Sequence, residues 1–246
     1  MALSLSPQQL EQYKNDGWCI VGKIMDDATL EAFRSEERRF RGENNKDLTI
    51  FRSQLCNYSE IIREYLMRGP QIPLAQQLVG TKNLSLWFNQ FVTKMPDGNS
   101  GKSEFPWHQD NGYAAVLPAT NVTIWVPLDD VDTNNGCVWV QPGSHKLGLL
   151  DHKQKSADNW HLEVPVQGDG IPAVLKAGEA VAFTGLTLHR SKLNYSNKPR
   201  RAFFMEYADA MSSYKRPSEP EPTPMVRSAD AWLVSGQIPW QTGGSY

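Results

Sequence analysis

The sequence predicts a mainly β protein, an antiparallel double sheet or barrel with helices packed outside it. Three observations carry this prediction. From Leu84 onward the chain is a series of short runs rich in β-branched and aromatic residues, at 84–95, 121–128, 137–141, 179–183 and 201–207. Turn clusters such as Pro96-Asp97-Gly98-Asn99 and Asn134-Asn135-Gly136 separate them. No helical periods alternate with these runs, which disfavours a parallel α/β sheet. A chain of 246 residues with 40% hydrophobic content can bury one substantial core, so a single domain over 1–246 is expected.

The first eighty residues read mainly as helix. Ser6 as N-cap, Pro7 at the first helical position and Gln9 three residues past the cap form a capping-box signature, and Gly17 is placed to end that helix. A short strand at 18–21 should follow. Asp26 or Asp27 can cap a second helix in which Leu30, Phe33 and Phe40 recur at helical spacing. A third helix is expected over 59–68, stopped by Gly69-Pro70. The β runs over 84–207 would then form the core. Beyond Met211 the Pro- and Glu-rich stretch 217–224 and the final Gly243-Gly244-Ser245 suggest an irregular tail pinned by Trp232 or Trp240.

Composition narrows the function. With 25 Lys+Arg against 27 Asp+Glu, the net charge of -2 gives no global attraction to nucleic acid or anionic lipid, which leaves a small molecule as the expected partner. Cys19, Cys56 and Cys137 are far apart and outside any CxxC spacing, so neither a disulfide framework nor a thiolate metal site is suggested, and a reducing cytoplasm fits. No signal-peptide pattern or long apolar run is present, so neither secretion nor membrane spanning is expected.

The sharpest local feature is Phe105-Pro106-Trp107-His108-Gln109-Asp110. Residues two apart on an extended chain face the same way, so His108 and Asp110 can bind one ion together. A third ligand from a distant strand would leave half of an octahedron open, the arrangement through which non-haem iron(II) takes a co-substrate and dioxygen. His189 is the candidate, at the end of an apolar run over 180–188 that reads as a buried strand. His-x-Asp alone is a weak signal. His145 reads as a turn residue bonded to loop backbone, and His152 and His161 as solvent-facing residues of a polar loop. Arg200 follows His189 by eleven residues, after a tight-turn composition over 194–199, so a return strand could bring it back beside the metal. A buried guanidinium there would hold the far end of a dicarboxylate by paired hydrogen bonds; a surface ion pair or a solvated hairpin residue is the alternative, and that alternative is preferred for Arg201.

Together these residues resemble the phytanoyl-CoA dioxygenase family of iron(II)/2-oxoglutarate oxygenases. The resemblance runs from about Leu84 to Tyr207. It is carried by Asn89-Gln90, Lys94-Met95-Pro96, Trp107-His108-Gln109-Asp110, Trp125-Val126-Pro127-Leu128-Asp129-Asp130, Asn134-Asn135-Gly136-Cys137, Pro142-Gly143-Ser144-His145-Lys146 and the spaced set His189, Ser191, Asn194, Ser196, Arg200. It implies a double-stranded β-helix, a jelly-roll, cupin-like barrel. It also implies iron(II) on His108, Asp110 and His189, with Arg200 on the C5 carboxylate of 2-oxoglutarate. Ser191 beside that carboxylate, and Gln90 and Trp125 in the co-substrate or substrate pocket, complete what it implies. The expected activity is oxidation, by default hydroxylation, of an unactivated C–H bond, consuming dioxygen and converting 2-oxoglutarate to succinate and carbon dioxide. Asp110 argues against halogenation, which in related enzymes needs a small residue in its place.

Tyr113 and Phe204 are candidate substrate contacts, and each reads equally as aromatic core. The loop over 148–170 is long and polar, a candidate lid; its Lys153 and Lys155 read first as a solvated face. No basic cluster marks a site for the phosphates of coenzyme A, so a small metabolite, amino acid derivative or natural-product intermediate is favoured. Two rivals remain at this level: a metal isomerase or hydrolase using the same three ligands without 2-oxoglutarate, and a metabolite-binding barrel without activity. Arg200 weighs against the first and the intact triad against the second.

Overall fold

Two antiparallel sheets face each other, and the helices cover the outer face of the larger one. The computed structural model describes residues 3–42, 50–96, 103–156, 159–227 and 231–236. Its helices are α1 (Pro7–Asp16), α2 (Asp27–Arg41), α3 (Glu60–Arg68) and α4 (Ile72–Val79). Its strands are β1 (Trp18–Lys23), β2 (Ile50–Ser53), β3 (Leu84–Lys94), β4 (Phe105–His108), β5 (Ala115–Leu117), β6 (Val122–Pro127), β7 (Val138–Val140) and β8 (Lys153–Ser156). They continue with β9 (Asn159–Glu163), β10 (Ile171–Pro172), β11 (Glu179–Thr184), β12 (His189–Ser191), β13 (Arg200–Asp209), β14 (Ser213–Lys215), β15 (Thr223–Pro224) and β16 (Trp232–Ser235).

The helix ends follow the residues that set them. The Ser6 hydroxyl accepts from the Gln9 amide while the Gln9 side chain accepts from the Ser6 N–H, the reciprocal capping box. Gly17 ends α1 in the left-handed region at φ 81°, where a Cβ would also come within 2.5 Å of the His145 ring. Asp26 and Ser59 cap α2 and α3. The sequence did not disclose α4, whose cap residue Gln71 makes no side-chain cap bond and whose largely apolar composition resembles a buried strand.

The larger sheet runs in the order β1-β11-β6-β13-β3-β16, with β2 also on β3. Strand β3 is long enough that β2 meets it at Val92 and Gln90 while β16 meets it at Leu86 and Leu84, so both ends of its outer edge are covered. The smaller sheet is β10-β7-β12-β4. The core cluster between the large sheet and the helices includes Phe33, Phe91, Phe203, Met205 and Tyr207. Phe33 meets Phe91, Phe203 and Tyr65 edge-on at centroid distances of 5.0–6.3 Å.

The expected jelly-roll is present, with four corrections to the detail. The apolar run at 180–188 is not one strand: β11 ends at Thr184, a turn held by the Thr187 N–H to Thr184 carbonyl bond follows, and His189 opens β12 in the other sheet. Residues 194–199 therefore connect the two sheets rather than closing a hairpin within one. The 148–170 loop holds the β8/β9 hairpin, fastened to β4 by the Val164 N–H to Trp107 carbonyl bond. The segment after 211 contributes β14, β15 and β16, with Trp232 on β3; Trp240, like residues 97–99 of the first turn cluster, lies outside the described residues.

Candidate active site

The smaller sheet and the turn that follows β4 deliver two imidazoles and a carboxylate to one point. His108 at the end of β4 and His189 at the start of β12 are cross-strand partners, so their rings lie side by side with centroids 4.2 Å apart. His108 Nδ1 sits 2.7 Å from the Pro106 carbonyl and His189 Nδ1 3.0 Å from the Thr187 carbonyl. A carbonyl only accepts, so each Nδ1 carries a proton and each Nε2 points inward. Asp110 Oδ1 is 3.9 Å from His108 Nε2 and 3.4 Å from His189 Nε2. One ligand atom from each of the three lies within 4.8 Å of the others. Asp110 arrives there through a 3-10 turn at 110–112 rather than by the strand alternation expected from sequence.

Gln109, fully buried between the two ligands, holds that turn. Its Nε2 donates to the Gly148 and Leu186 carbonyls at 2.8 and 2.6 Å, and its Oε1 accepts from the Leu150 N–H. Its own N–H donates to His152 Nε2 at 3.0 Å. His152 is thus half-buried and structural, and His161 is buried against the Phe105 ring at 4.4 Å; the β8/β9 hairpin folds back onto β4 and removes both from the solvent expected for a polar loop. Lys153 remains exposed, and the ring of His145 meets the Lys14 carbonyl of α1.

Electrostatics favour a cation at the triad. Burial alone would raise Asp110, but the His189 and His108 rings and the Thr123 hydroxyl, which donates to it at 2.5 Å, outweigh burial and hold it below the usual carboxylate range. Burial and the neighbouring His189 push His108 down to about 3, so its ring is neutral at physiological pH. Glu206, which shares the Thr123 hydroxyl at 3.3 Å, is raised well above its ordinary value by burial and by Asp110.

Arg200 opens β13, facing inward and 2% exposed. One Nη donates to the Val92 carbonyl at 3.1 Å, Nε has no partner, and among the described residues no carboxylate pairs with it. Its guanidinium lies 5.4 Å from the Trp125 ring, and burial pulls its pKa down to about 10, which still leaves a cation at neutral pH. Arg201 points the other way and grips Asp129 with two bonds of 2.9 and 2.6 Å, the surface pairing expected for it.

A cavity of about 420 Å³ joins these groups. All nine residues singled out from sequence line it: His108, Asp110, His189, Arg200, Ser191, Gln90, Trp125, Tyr113 and Phe204. So do residues the sequence reasoning missed, among them Thr123, Glu206, Phe88, Trp87, Gln54 and Arg216. Strand alternation from Trp125 and Phe204 would have found Thr123 and Glu206. Gln54 and Arg216 lie outside any strand and carry no local signal.

A model of the phytanoyl-CoA dioxygenase family matches residues 5–202. The chain belongs to the phytanoyl-CoA dioxygenase family. Its membership makes it an iron(II)- and 2-oxoglutarate-dependent dioxygenase. The bovine peroxisomal phytanoyl-CoA dioxygenase is 28% identical, the match covering 85% of this chain and 70% of the relative. Ectoine dioxygenase of Bordetella bronchiseptica is 26% identical over 83% of this chain and 75% of its own. Among solved structures, the epimerase SnoN in complex with Fe3+, alpha ketoglutarate and nogalamycin RO superimposes with a TM-score of 0.73 at 19% identity, covering 92% of this chain and 97% of its own, a likeness that shows the shared fold. In this phytanoyl-CoA dioxygenase family member, no helix among the described residues is long and apolar enough to cross a membrane.

Proposed function

We propose that His108, Asp110 and His189 hold the iron(II), that Arg200 anchors 2-oxoglutarate, and that the chain hydroxylates an unactivated C–H bond of a small metabolite or natural-product intermediate. The donor set fits: two imidazoles turned with Nε2 inward and one ionised carboxylate would leave half of an octahedron open. The observation that carries the reading is Arg200, a buried cation that no carboxylate among the described residues pairs with, in the cavity that holds the triad. A dicarboxylate chelated at the metal would supply the missing partner, whereas a metal isomerase or hydrolase has no use for that cation. Iron(II) with 2-oxoglutarate supplies the activation of dioxygen and the oxidation of the C–H bond, giving succinate and carbon dioxide. The protein's own part is placement. Arg200 fixes the far carboxylate, Ser191 lies beside it, and Gln90 and Trp125 wall the co-substrate end. Trp125 and Phe183 exclude water from around the triad, Thr123 keeps Asp110 oriented, and Tyr113 and Phe204 border the substrate.

We take residues 1–246 as one oxygenase unit, since β1 and β16, from the two ends of the chain, join the same sheet. The three buried free cysteines support a reducing compartment, the cytoplasm. The deciding experiment is a calorimetric titration of 2-oxoglutarate with and without a divalent metal. Binding should need the metal; binding of equal strength without it would separate Arg200 from the triad and end this reading.

A further inference from the structure

Strand β13 is a ruler for the cavity. Arg200, Phe204 and Glu206 share its inner face, and Arg200 and Glu206 are six residues, about 20 Å, apart along it. Register places Gln90 opposite Phe204 and Phe88 opposite Glu206, while Thr123 pairs with Glu206 and bonds Asp110. The cavity therefore has a co-substrate end near Arg200 and a second end, past Phe204, walled by Phe88, Trp87 and Ala114. If Arg200 holds 2-oxoglutarate, as proposed above, the second end is left for the substrate.

That end is aromatic and carries a cation. Phe88 and Phe204 stack at 5.7 Å, and Trp87 packs against Tyr214 at 4.2 Å. Lys215 pairs with Ala115, so the chain brings Arg216 alongside Ala114 at the cavity wall. Its guanidinium lies 4.9 Å from the Tyr214 ring and 5.9 Å from Trp87, rings that belong to the small cluster fixing this segment with Val116, Ala208 and Met225. Arg216 pairs with Glu219 three residues on at 2.9 Å in a half-buried contact, side chains 40% and 30% exposed, and a pair still open to solvent can be exchanged for another carboxylate.

We propose that the primary substrate is a hydrophobic carboxylate, its carboxylate received by Arg216 and its apolar body laid against Trp87, Phe88 and Phe204. A planar guanidinium backed by aromatic rings suits a carboxylate, and the aromatic wall suits an apolar chain or ring. An acyl thioester, which has no free carboxylate at that position, is not this substrate.

The test uses the full chain loaded anaerobically with iron(II) and saturating 2-oxoglutarate, so that the Arg200 end is filled. Probes are 3-phenylpropionate and 5-phenylpentanoate with their primary amides, and affinity is read by calorimetry and by saturation-transfer NMR. At least one acid should bind the parent about tenfold or more tighter than its amide. Arg216→Gln should abolish that preference, and Glu219→Gln should widen it. Equal affinity of acids and amides for the parent, no binding of any probe, or a preference that survives Arg216→Gln would each overturn the proposal. Titration of 2-oxoglutarate into each variant, followed by its absorption with iron(II), keeps the two readings apart and reports folding. Arg216→Gln should keep the half-saturation of the parent; a raised requirement would make Arg216 a co-substrate anchor and sink the carboxylate proposal alone. A parent that binds no 2-oxoglutarate would sink both.

Discussion

At Arg200 a cation is buried with one backbone acceptor and, among the described residues, no paired anion, a costly state unless a ligand completes it. Arg200→Lys keeps the charge but loses the planar paired contact. A lost charge-assisted hydrogen bond is worth about 1.5–3 kcal/mol, so the half-saturating 2-oxoglutarate concentration should rise about ten- to a hundredfold at saturating iron. An unaltered half-saturation would place the anchor elsewhere. Asp110 differs in kind, because it contributes the one negative charge of the triad. Asp110→Ala should lose iron on gel filtration and abolish succinate formation; parent-like iron content would remove it from the ligand set.

The ligand-bearing elements are short, and what aligns them is side-chain bonding between loops. Gln109 spans the turn bearing Asp110, the 148–150 segment and Leu186, three residues before His189, so one amide couples two of the three ligand positions to the third. Gln109→Leu keeps the volume while leaving two half-buried carbonyls and one N–H without their partner. Iron affinity should fall about ten- to a hundredfold, as for other supports of metal ligands, while Gln109→Glu, which restores only the acceptor, should recover part of it. Competition with a chelator measures this, and equal iron affinity in all three proteins would show that the triad holds its shape without the amide. The same elements mark how far the sequence could be read. His108, Asp110, His189 and Arg200 stood out because each needs a rare residue type at a fixed spacing, and long strands such as β3 and β13 carry continuous β-branched and aromatic runs. The switch of sheets between Thr184 and His189 left no such trace, since an apolar turn between two buried strands has the composition of a strand. His152 and His161 differ from the expectation for the converse reason: their neighbours are polar, and only tertiary contacts cover them, the Gln109 N–H bond half-burying His152 and the hairpin folding back on β4 burying His161. Arg216 reaches the cavity through the β5/β14 pairing, which no local pattern encodes.

Across the whole molecule the site is built where the two sheets face each other, with the imidazoles on the smaller sheet and Arg200, Phe204 and Glu206 on the larger. With the metal on the triad and the co-substrate on Arg200, as proposed, the two together would link the sheets, and their binding free energy would add to the stability of the fold. With both ligands at a hundred times their dissociation constants, the co-substrate alone contributes about 2.7 kcal/mol, or a rise of about 5–11 °C in melting temperature for a chain of this size. A redox-inert divalent metal in place of iron avoids turnover during the melt. 2-Oxoglutarate without metal should give little of this rise, because its keto acid end then has nothing to chelate. Arg200→Met supplies the opposite test: it removes a buried cation that has no counter-ion among the described residues, at the loss of one bond to the Val92 carbonyl, itself worth about 1 kcal/mol. Without ligands the variant should melt within a few degrees of the parent or above it, while losing most of the shift that 2-oxoglutarate adds to the metal-loaded protein. A variant that melts far below the parent when both are free of ligand would mean that Arg200 serves the fold rather than the co-substrate, and its burial would then need another explanation.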